Sequence, residues 1–419
     1  MVTVPDPAAM MGAREVVISR LGAQGDGIAD GDGHQLFVPF TLPGEKVSVA
    51  SSAGRLRAID VLTASPDRVT PVCRHFGTCG GCALQHMSMA AYRAWKSDQV
   101  AAAFRARGID ANVQALITPE GLRRRAVLTA TRFDTAVSLG FHEAASHRLI
   151  DLAECPVLDH RIVAAMPGLR TLIAPLISKR GEAKLTVTLT RAGLDVAIDG
   201  IERKMTADVR ARIAVDAAAS KLARVSIDLD PVYQASPPFL TFGTVDVLIP
   251  PGTFVQAVAD AETKIASMLA ARIGKSKSVA DLFCGIGSLT FPLAAHAKVL
   301  AVDSDQVAIG ALAAAVKTAT RVKPVTTLIR DLFREPLSAL ELSDFDTVVF
   351  DPPRAGAEAQ ARMLAKSKVK TVLAVSCNPA TLARDARTLI DGGYKLESVT
   401  PIDQFLYTPH VEAVAVFLR

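Results

Sequence analysis

A cysteine at the end of an apolar run is the strongest chemical signal in this sequence. The stretch Lys370–Pro379 is apolar until it reaches Ser376-Cys377-Asn378-Pro379, and a helical pattern follows from Ala380. A buried strand that ends in this way places a thiol at the carboxyl end of a sheet, where open α/β sheets bind ligands. Most lone cysteines pack as small apolar residues. Because Cys377 lies in a polar, turn-forming context, we predict that it is a nucleophile.

Polar residues end three other apolar runs in the same half of the chain. Asp281-Leu-Phe-Cys-Gly-Ile-Gly287 leads into a helical pattern through a glycine-bearing turn, the next run ends at Asp303, and a later one ends in Asp351-Pro-Pro-Arg354. Asp303 follows the turn at about the separation of a ribose-binding acid. Each signal alone is weak, whereas together they predict a nucleotide-type site at one end of a sheet.

The glycine turn also narrows the class of ligand. No Lys-Ser or Lys-Thr pair follows it, which disfavours a phosphate-loop NTPase, and Thr290 stands where a dinucleotide-binding turn needs a third glycine or alanine. S-adenosylmethionine has a ribose and an adenine but no pyrophosphate, so it fits this turn better. Cys284 lies inside the turn, and we expect its thiol to pack as a small apolar group.

A histidine and a glutamate stand directly before the last apolar run. His410-Val-Glu412 precedes Val414–Leu418, so Glu412 lies at the mouth of a predicted strand. A carboxylate in that place could be solvated and idle, or it could accept a proton beside Cys377. Geometry decides between these two interpretations.

Three closely spaced cysteines form a second chemical signal. Cys73, Cys79 and Cys82 give a C-x5-C-x2-C array interleaved with glycine, and thiolate ligands select zinc or an iron–sulfur cluster. Cys155 is the remaining cysteine before the catalytic half and is the candidate fourth ligand. Four-cysteine zinc sites usually have two C-x2-C pairs. Because this array has one pair and two outlying cysteines, we predict a [4Fe–4S] cluster.

The composition is that of an ordinary globular protein. Apolar residues make up 50% and charged residues 21% of the 419 residues, which excludes a disordered chain and allows several domains. The net charge of +5 permits a polyanionic partner without proving one. Met1–Gly12 lacks a signal-peptide pattern, and no apolar run reaches the roughly 20 residues of a membrane helix. Six cysteines without such a signal indicate a reducing compartment, so we predict a cytoplasmic protein.

Strand and helix patterns alternate through the last third of the chain. This alternation predicts a doubly wound α/β sheet of parallel strands with helices on both faces. The predicted strands are Ser278–Phe283, Val299–Val302, Val325–Ile329, Thr347–Phe350, Thr371–Val375 and Val414–Leu418, and the helices between them include Gln306–Thr318 and Ala359–Lys366.

The first two thirds of the chain have a different pattern of predicted strands and helices. Short β-rich runs and glycine-dense turns, including Gly31-Asp-Gly33, predict a small barrel over residues 14–63. Leu84–Arg107 predicts a helix that Gly108 would end, and residues 122–250 predict a mixed antiparallel region. Arg123-Arg-Arg125 and Arg132 form a basic cluster there. This cluster is either a solvated charge run or a contact for an RNA backbone, and the sequence favours neither.

The barrel region resembles a TRAM domain, an OB-like RNA-binding module, in Gly25-Asp-Gly-Ile-Ala29 and in the run FVPFTLPGE at Phe37–Glu45. With the cysteine array and then D-L-F-C-G-x-G, D-P-P-R, S-C-N-P and H-V-E in that order, nearly the whole chain resembles the RNA 5-methyluridine methyltransferase family. The resemblance implies a class I S-adenosylmethionine-dependent methyltransferase, Rossmann-like and doubly wound, with an N-terminal OB-like β-barrel and a central α+β region. It implies a TRAM-like domain at 1–65, an iron–sulfur loop and linking helix at 66–118, the central region at 119–250 and the catalytic domain at 251–419.

The resemblance also implies roles for individual residues. Cys377 would attack C6 of a target uridine, C5 would take the methyl group of S-adenosylmethionine, and Glu412 would remove the C5 proton so that Cys377 is released. The target base must leave its stack to react. The implied cofactor contacts are Gln256, Phe283, Ser288, Asp303 and Asp351, and Asp331 is a further candidate beside the adenine.

Two positions depart from the family pattern, because Ser288 and Val258 stand where the family often has asparagine. By resemblance the partner is RNA, with 23S rRNA favoured over tRNA, no membrane is involved, and the protein is a monomer. A catalytically silent RNA-binding assembly factor is the alternative. The presence of Cys377, Asp351 and Glu412 argues against that alternative. A methyltransferase for exocyclic amines would need no thiol and commonly carries N-P-P-Y instead of D-P-P-R.

Overall fold

The computed structural model describes residues 14–31, 34–52, 55–134, 136–144, 146–201 and 203–419. The predictions for Met1–Gly12 and for Asp32 and Gly33 lie outside these residues. The described residues divide into two compact units. The first comprises Met1–Gln99 as far as it is described, His142–Arg148 and Phe405–Pro409; the second comprises Val100–Phe141, Leu149–Gln404 and His410–Arg419. Among the described helices, none has both the length and the apolar character of a membrane span.

The first unit contains two antiparallel three-stranded sheets in its described ranges. The strands are β1 (Arg14–Val17), β2 (Arg20–Leu21), β3 (Gly27–Gly31), β4 (His34–Val38), β5 (Lys46–Ser52) and β6 (Arg55–Thr63), ordered β1-β5-β6 and β2-β3-β4. Their apolar side chains share one small core that includes Ile18, Val38 and Val47. Gly27 must lack a side chain, because a Cβ there would lie 2.1 Å from Thr41 Oγ1.

Helix α1 (Met89–Arg105) begins five residues later than predicted. Ser88 causes this later start, since its hydroxyl accepts a hydrogen bond from Ala91 N and donates one to Asp67 Oδ1 at 2.6 Å. A serine at this position satisfies an amide of the first turn and so begins the helix. Leu84 precedes the helix in a turn of its own.

The central region is the mixed α+β structure that the sequence predicts. Its elements are β7 (Arg125–Phe133), β8 (Ala136–His142), β9 (Leu149–Asp151), α2 (His160–Ile173), β10 (Glu182–Thr190), β11 (Gly193–Asp199), α3 (Ala207–Ala219), β12 (Arg224–Ile227), β13 (Asp230–Gln234), β14 (Phe239–Phe242) and β15 (Val245–Leu248). Over its described ranges one sheet is ordered β13-β12-β11-β10-β7-β8-β9. The β11–β12 pair is parallel, because α3 carries the chain back between them.

The catalytic region is described without a gap. Its elements are α4 (Ala259–Ile273), β16 (Ser278–Leu282), α5 (Thr290–Ala294), β17 (Lys298–Asp303), α6 (Gln306–Thr318), β18 (Val325–Ile329), α7 (Ala339–Leu342), β19 (Thr347–Phe350), α8 (Glu358–Lys366), β20 (Thr371–Ser376), α9 (Pro379–Asp391), β21 (Lys395–Ile402) and β22 (Glu412–Leu418). The seven strands of this sheet are ordered β18-β17-β16-β19-β20-β22-β21.

Both faces of this catalytic sheet are covered, which confirms the doubly wound prediction. Alternate residues of β16, such as Ala280 and Leu282, pack with residues of α8 and α9, whereas Val279 packs with residues of α4 and α5 on the opposite face. The sheet is mixed, because β22 runs antiparallel to both of its neighbours. The sequence analysis missed β21 altogether. The four predicted domain boundaries and the TRAM-like assignment stay predictions.

Candidate active site

The predicted site residues lie at one end of the catalytic sheet. Parallel strands β17, β16, β19 and β20 are neighbours in that order, and they end at Asp303, at the glycine turn, at Asp351 and at Cys377. We call this side the carboxyl end of the sheet. The strand order reverses between β16 and β19, and ligands of open α/β sheets bind at such a reversal. Glu412 begins the antiparallel strand β22, so it lies at the same end.

The glycine turn is held in a strained conformation against Asp303. Phe283 has a φ of 62°, a conformation that few residues with a side chain adopt. At Gly287, with a φ of 92°, a Cβ would lie 2.9 Å from the Phe291 ring. The amide of Gly285 donates to Asp303 Oδ2 at 2.8 Å, and Asp305 N donates to Oδ1 at 2.9 Å. These bonds fix the carboxylate beside the turn.

Cys377 stands between β20 and α9, in a loop tied to the Asp351-Pro-Pro-Arg354 loop. Asn378 caps α9, because its side chain accepts from Ala380 N, and its amide group donates to Arg354 O at 3.1 Å. The Arg354 guanidinium lies 2.9 Å from His410 Nε2. Three chain segments that are distant in sequence therefore meet around the thiol.

The surroundings of Cys377 favour the protonated thiol in the free protein. Burial and, to a smaller extent, the carboxyl groups of Glu412 and Asp351 together raise its pKa to about 11, while Arg354 opposes them. A thiolate is the nucleophilic form of cysteine. Deprotonation of Cys377 is therefore a step that the site must promote.

A chain of side-chain amides joins Glu412 to Asp351. Gln404 Nε2 donates to Glu412 Oε2 at 2.7 Å and to Gln256 Oε1 at 2.8 Å. Gln256 Nε2 in turn donates to Asp351 Oδ2 at 3.0 Å. Gln404 and Glu412 are only 1% and 2% exposed, so this network is fixed by packing as well as by hydrogen bonds.

The carboxyl groups at this end resist ionisation. Burial raises the pKa of Glu412 well above its usual range and Asp351 raises it further, while the bond from Gln404 opposes the shift. Burial also raises the pKa of Asp351, against the bond from Gln256. In Asp281, burial raises the pKa to about 7 although Thr290 Oγ1 donates to it. Such shifts are typical of functional sites.

Comparisons with known proteins agree with this geometry. The sequence profile of the tRNA (uracil-5-)-methyltransferase family matches residues 249–419. An uncharacterized RNA methyltransferase of Brucella suis biovar 1 is 46% identical over 97% of this chain and 98% of its own. The 23S rRNA (uracil(1939)-C(5))-methyltransferase of Halomonas elongata is 33% identical over 98% of this chain and 91% of its own. The chain belongs to the RNA uracil-5-methyltransferase family.

The fold of this methyltransferase agrees with that membership. The crystal structure of the Pyrococcus abyssi tRNA (uracil-54, C5)-methyltransferase in complex with S-adenosyl-L-homocysteine superposes with a TM-score of 0.73, covering 97% of this chain and all of that one. At 24% identity this match shows the fold alone. The predictions of a class I methyltransferase fold and of an RNA uracil-C5 methyltransferase are confirmed, as is S-adenosylmethionine as the methyl donor.

The residues of the carboxyl end fit that methyl donor. S-adenosylmethionine carries a positive sulfonium, and a positive charge bound at this end would favour the ionised forms of Asp281, Asp351 and Glu412. Two oxygens, Gln404 Oε1 and Glu412 Oε1, are buried without a hydrogen-bond partner among the described residues. Buried polar atoms normally have partners, so these two oxygens mark a place that a bound molecule can complete.

The structure adds Phe333 to this end, which the sequence analysis did not predict, and it shows the surroundings of residues that the sequence analysis named. Phe333 is 48% exposed, and its ring centroid lies 5.4 Å from that of Phe283. Its amide donates to Asp331 Oδ1 at 3.0 Å, so the candidate Asp331 shapes the aromatic pair. Val258 is buried in an apolar cluster at the start of α4 and provides no side-chain cap. Ser288 is partly exposed, and Cys284 is buried, as we expected.

The basic cluster of the sequence has structural contacts in this methyltransferase. Arg124 is buried, donates to Gln256 O at 3.1 Å and pairs with Glu262 at 2.7 Å. The Arg125 guanidinium lies 5.5 Å from the centroid of the Phe254 ring. Arg132 donates to Ala174 O at 2.8 Å. The interpretation as a solvated charge run is therefore wrong for Arg124, which anchors the segment that carries Gln256.

The structure places the cysteine array in a loop of the first unit. Cys73, Cys79 and Cys82 form no disulfide and are partly exposed, and Cys79 Sγ accepts from Gly81 N. Cys155 belongs to the second unit. No group of three or more His, Cys, Asp and Glu side chains in the described residues is arranged to hold a metal ion.

Proposed function

We propose that this enzyme forms 5-methyluridine in RNA through a covalent bond between Cys377 and the target base. One observation carries the proposal: the thiol of Cys377 and the carboxyl group of Glu412 lie at the same end of the catalytic sheet, close enough for the Glu412 carboxylate to raise the pKa of the thiol. Uracil C5 is a poor nucleophile until a thiolate adds at C6, so the reaction needs this pair of groups.

In the proposed reaction, Cys377 loses its proton to solvent and its sulfur adds to C6, which shifts the electron pair of the double bond to C5. Bound S-adenosylmethionine would supply an electrophilic methyl group to that carbon, with S-adenosylhomocysteine as the leaving group. Glu412 then takes the proton from C5. The released electron pair re-forms the C5–C6 double bond, the bond from C6 to sulfur breaks, and Cys377 leaves as a thiolate.

The proton acceptor needs to be ionised and held in place. Gln404 Nε2 donates to Glu412 Oε2, which favours the carboxylate against the burial that disfavours it. The same hydrogen bond fixes the orientation of the side chain. We propose that Gln404 is the positioning residue of the base, and that Oε1 of Glu412, which has no partner among the described residues, faces the proton to be removed.

The cofactor contacts are proposed on the same geometry. Asp303 is held beside the glycine turn by two backbone amides, which suits a ligand with ribose hydroxyls. The adjacent rings of Phe283 and Phe333 offer an apolar surface for an adenine. Ser288, Gln256 and Asp351 complete the proposed set.

We favour 23S rRNA as the substrate. The name of the Halomonas elongata relative, 33% identical over nearly the whole chain, supports this choice, whereas the name of the family profile points to tRNA. The decisive experiment is methyl transfer from labelled S-adenosylmethionine to RNA of a strain that lacks the gene, with ribosomal and transfer RNA fractions separated. We expect 5-methyluridine in the ribosomal fraction. Label only in the tRNA fraction would reassign the substrate, and no label in either would favour an RNA-binding assembly factor.

We also propose that Cys73, Cys79, Cys82 and Cys155 hold a [4Fe–4S] cluster. The donor chemistry supports it, because the three cysteines of the loop form no disulfide and are partly exposed, while the geometry of the described side chains adds no support. Iron and sulfide analysis after anaerobic purification tests the proposal. We expect about four of each per chain, and a colourless protein with one zinc would overturn it.

The cellular setting of the enzyme is a proposal as well. We propose that it acts in the cytoplasm as a monomer and that residues 1–65 form a TRAM-like RNA-binding domain. The short antiparallel strands in the described part of this range and the RNA substrate class support this. Light scattering in solution tests the monomer, which a stable dimer mass would contradict.

A further inference from the structure

The end of the catalytic sheet opposite to Cys377 carries a positive residue at six of its seven strands. We call this side the amino end, because the parallel strands start there. Asp346, directly before β19, is the exception. In sheet order the residues are Lys323 before β18, Lys298 on β17, Lys277 before β16, Asp346 before β19, Lys370 before β20, Arg419 after β22 and Lys395 on β21.

Backbone pairing shows that these residues follow one another along this end. Lys298 N donates to Lys277 O at 3.0 Å, and Arg419 N donates to Lys370 O at 2.9 Å. Lys395 pairs with Leu418 of the neighbouring strand. Because adjacent strands lie about 4.8 Å apart, the six intervals of the sheet extend the series over roughly 29 Å.

Five of the six positive groups are available to a partner. Lys277, Lys298, Lys323, Lys370 and Lys395, which we call the lysine row, are exposed. Among the described residues, no carboxylate forms an ion pair with any of them. Arg419 differs, because its guanidinium stacks on Tyr394 at 4.0 Å and donates to main-chain carbonyls. It therefore stabilises the fold and is not counted in the row.

The acid directly before β19 is already engaged in hydrogen bonds. Asp346 Oδ2 accepts from Lys277 N at 2.7 Å and from Ser278 N at 3.2 Å. These bonds, aided by the charge of Lys370, hold the pKa of Asp346 below its usual range. Exposed Lys275 and Lys368 lie on loops that enter the strands, and exposed Lys366 ends α8; they add to the positive charge, whereas exposed Asp344, on the loop that enters β19, subtracts from it.

The concentration of charge is local. The series itself has a formal charge of +5, six positive residues and one acid, and Lys275, Lys366, Lys368 and Asp344 raise the charge of this end to +7, so the rest of the chain carries a net charge of −2. General basicity therefore does not explain the row. A row of exposed ammonium groups without carboxylate partners is the surface that a phosphate backbone binds, with release of its counterions.

We propose that the lysine row is a second docking surface for the RNA substrate, separate from the site that receives the target uridine. This proposal rests on the proposed function in one respect, that RNA is the substrate. It does not depend on a covalent bond between Cys377 and the target base. β20 has six residues between Lys370 and Cys377, so the two surfaces lie about 20 Å apart along the strand. An RNA that contacts both must wrap around the sheet, which selects a large folded RNA and contributes affinity without taking part in the chemistry.

The test compares two variants that remove the same charge. The row variant carries Lys277→Gln, Lys298→Gln, Lys323→Gln and Lys395→Gln. The matched control changes four exposed lysines of the central region: Lys179→Gln, Lys184→Gln, Lys204→Gln and Lys221→Gln. Binding to 23S rRNA is measured by filter retention against salt concentration, kcat and KM are measured by methyl transfer, and circular dichroism confirms that each variant is folded.

We expect the row variant to bind 23S rRNA about 10- to 100-fold more weakly at physiological salt, with a salt slope smaller by about 3, because each lost phosphate contact removes about 0.7–0.9 from that slope. Its kcat at saturating RNA stays that of the wild type, and the control keeps wild-type binding. An unchanged salt slope in the row variant, or an equal loss in the control, would overturn the proposal. Binding is measured without turnover, so a failure of the proposed methylation would be seen separately.

Discussion

The two ends of the catalytic sheet differ in charge, burial and bonding. At the carboxyl end, Asp351 and Glu412 are linked through Gln256 and Gln404, and burial raises the pKa of both carboxyl groups. At the amino end, the lysine row is exposed and, among the described residues, free of ion pairs. The same seven strands thus carry hydrogen-bonded acids at one end and exposed cations at the other.

This difference separates chemistry from affinity. Burial of a carboxyl group costs folding free energy, because the charged form loses its hydration. Burial also raises the pKa of the group towards neutral pH, where it can both accept and release a proton during catalysis. An exposed lysine costs little folding free energy, because its charge stays hydrated. It attracts the phosphate groups of RNA electrostatically. We therefore expect variants at the carboxyl end to lower kcat while RNA binding persists, and variants at the amino end to weaken binding while kcat persists.

The largest effect is expected from Cys377→Ala. The variant removes the nucleophile, so methyl transfer should fall on the order of 10⁶-fold, as in other enzymes that lose their nucleophile. Affinity for 23S rRNA should stay within a few-fold of the wild type. Single-turnover methyl transfer and filter binding measure the two quantities. Cys284→Ala is the matched control: the Cys284 thiol is buried, and this variant should keep most of the activity. Turnover of Cys377→Ala within tenfold of the wild type would contradict the role of Cys377 as the nucleophile.

Glu412→Gln should lower kcat by about 10²- to 10⁴-fold, the range for loss of a general base. The amide keeps the shape of the side chain but cannot take the C5 proton. Adduct formation precedes this step, so protein bound covalently to RNA should accumulate and be visible on a denaturing gel. Slow turnover without any accumulated adduct would assign the base to another residue.

Gln404→Met is expected to lower kcat about 10- to 100-fold. Methionine is close to glutamine in size but donates no hydrogen bond to Glu412, and a hydrogen bond to a charged group contributes about 1.5–3 kcal/mol. The pH profile distinguishes positioning from structure: without this bond the pKa of Glu412 rises, so the profile of kcat should move to higher pH. A uniform loss at every pH, with an unshifted profile, would show a structural role only.

The pH dependence of the wild type tests the same comparison without a substitution. The pKa of Cys377 is raised to about 11, so the thiolate fraction grows about tenfold per pH unit below that value. The raised pKa of Glu412 acts in the same direction, because its carboxylate form also increases with pH. kcat/KM should therefore rise steadily from pH 6 to 9, whereas RNA binding through the lysine row should stay constant. A maximum of kcat/KM below pH 7 would contradict the raised pKa values of Cys377 and Glu412.

Much of the site could be predicted because each residue ends a recognisable apolar run. Cys377, Asp351 and Asp303 follow parallel strands, and parallel strands end on one side of a sheet. The helix Gln306–Thr318 was predicted with the bounds that the structure has. Strand β21 (Lys395–Ile402) was missed, because Pro401 and several polar residues leave it no regular alternation.

Other features exist only in the folded chain. Gln404 is a single glutamine in a loop with no motif of its own, and its importance comes from the carboxylate and the amide that it contacts. Arg124 looked like part of a charged surface, yet burial beside Glu262 gives it a structural place. Each member of the lysine row is a lone lysine in the sequence, and only the strand order of the sheet brings the five together.

The most direct test of the account is mass spectrometry of the Glu412→Gln variant after incubation with S-adenosylmethionine and unmodified 23S rRNA. Nuclease and protease digestion should yield one modified peptide, with a methylated uridine nucleotide bound to Cys377. The same experiment with the double variant Cys377→Ala, Glu412→Gln should yield none. If the wild type produces 5-methyluridine while no peptide containing Cys377 ever carries a nucleotide, the covalent account of this site is wrong.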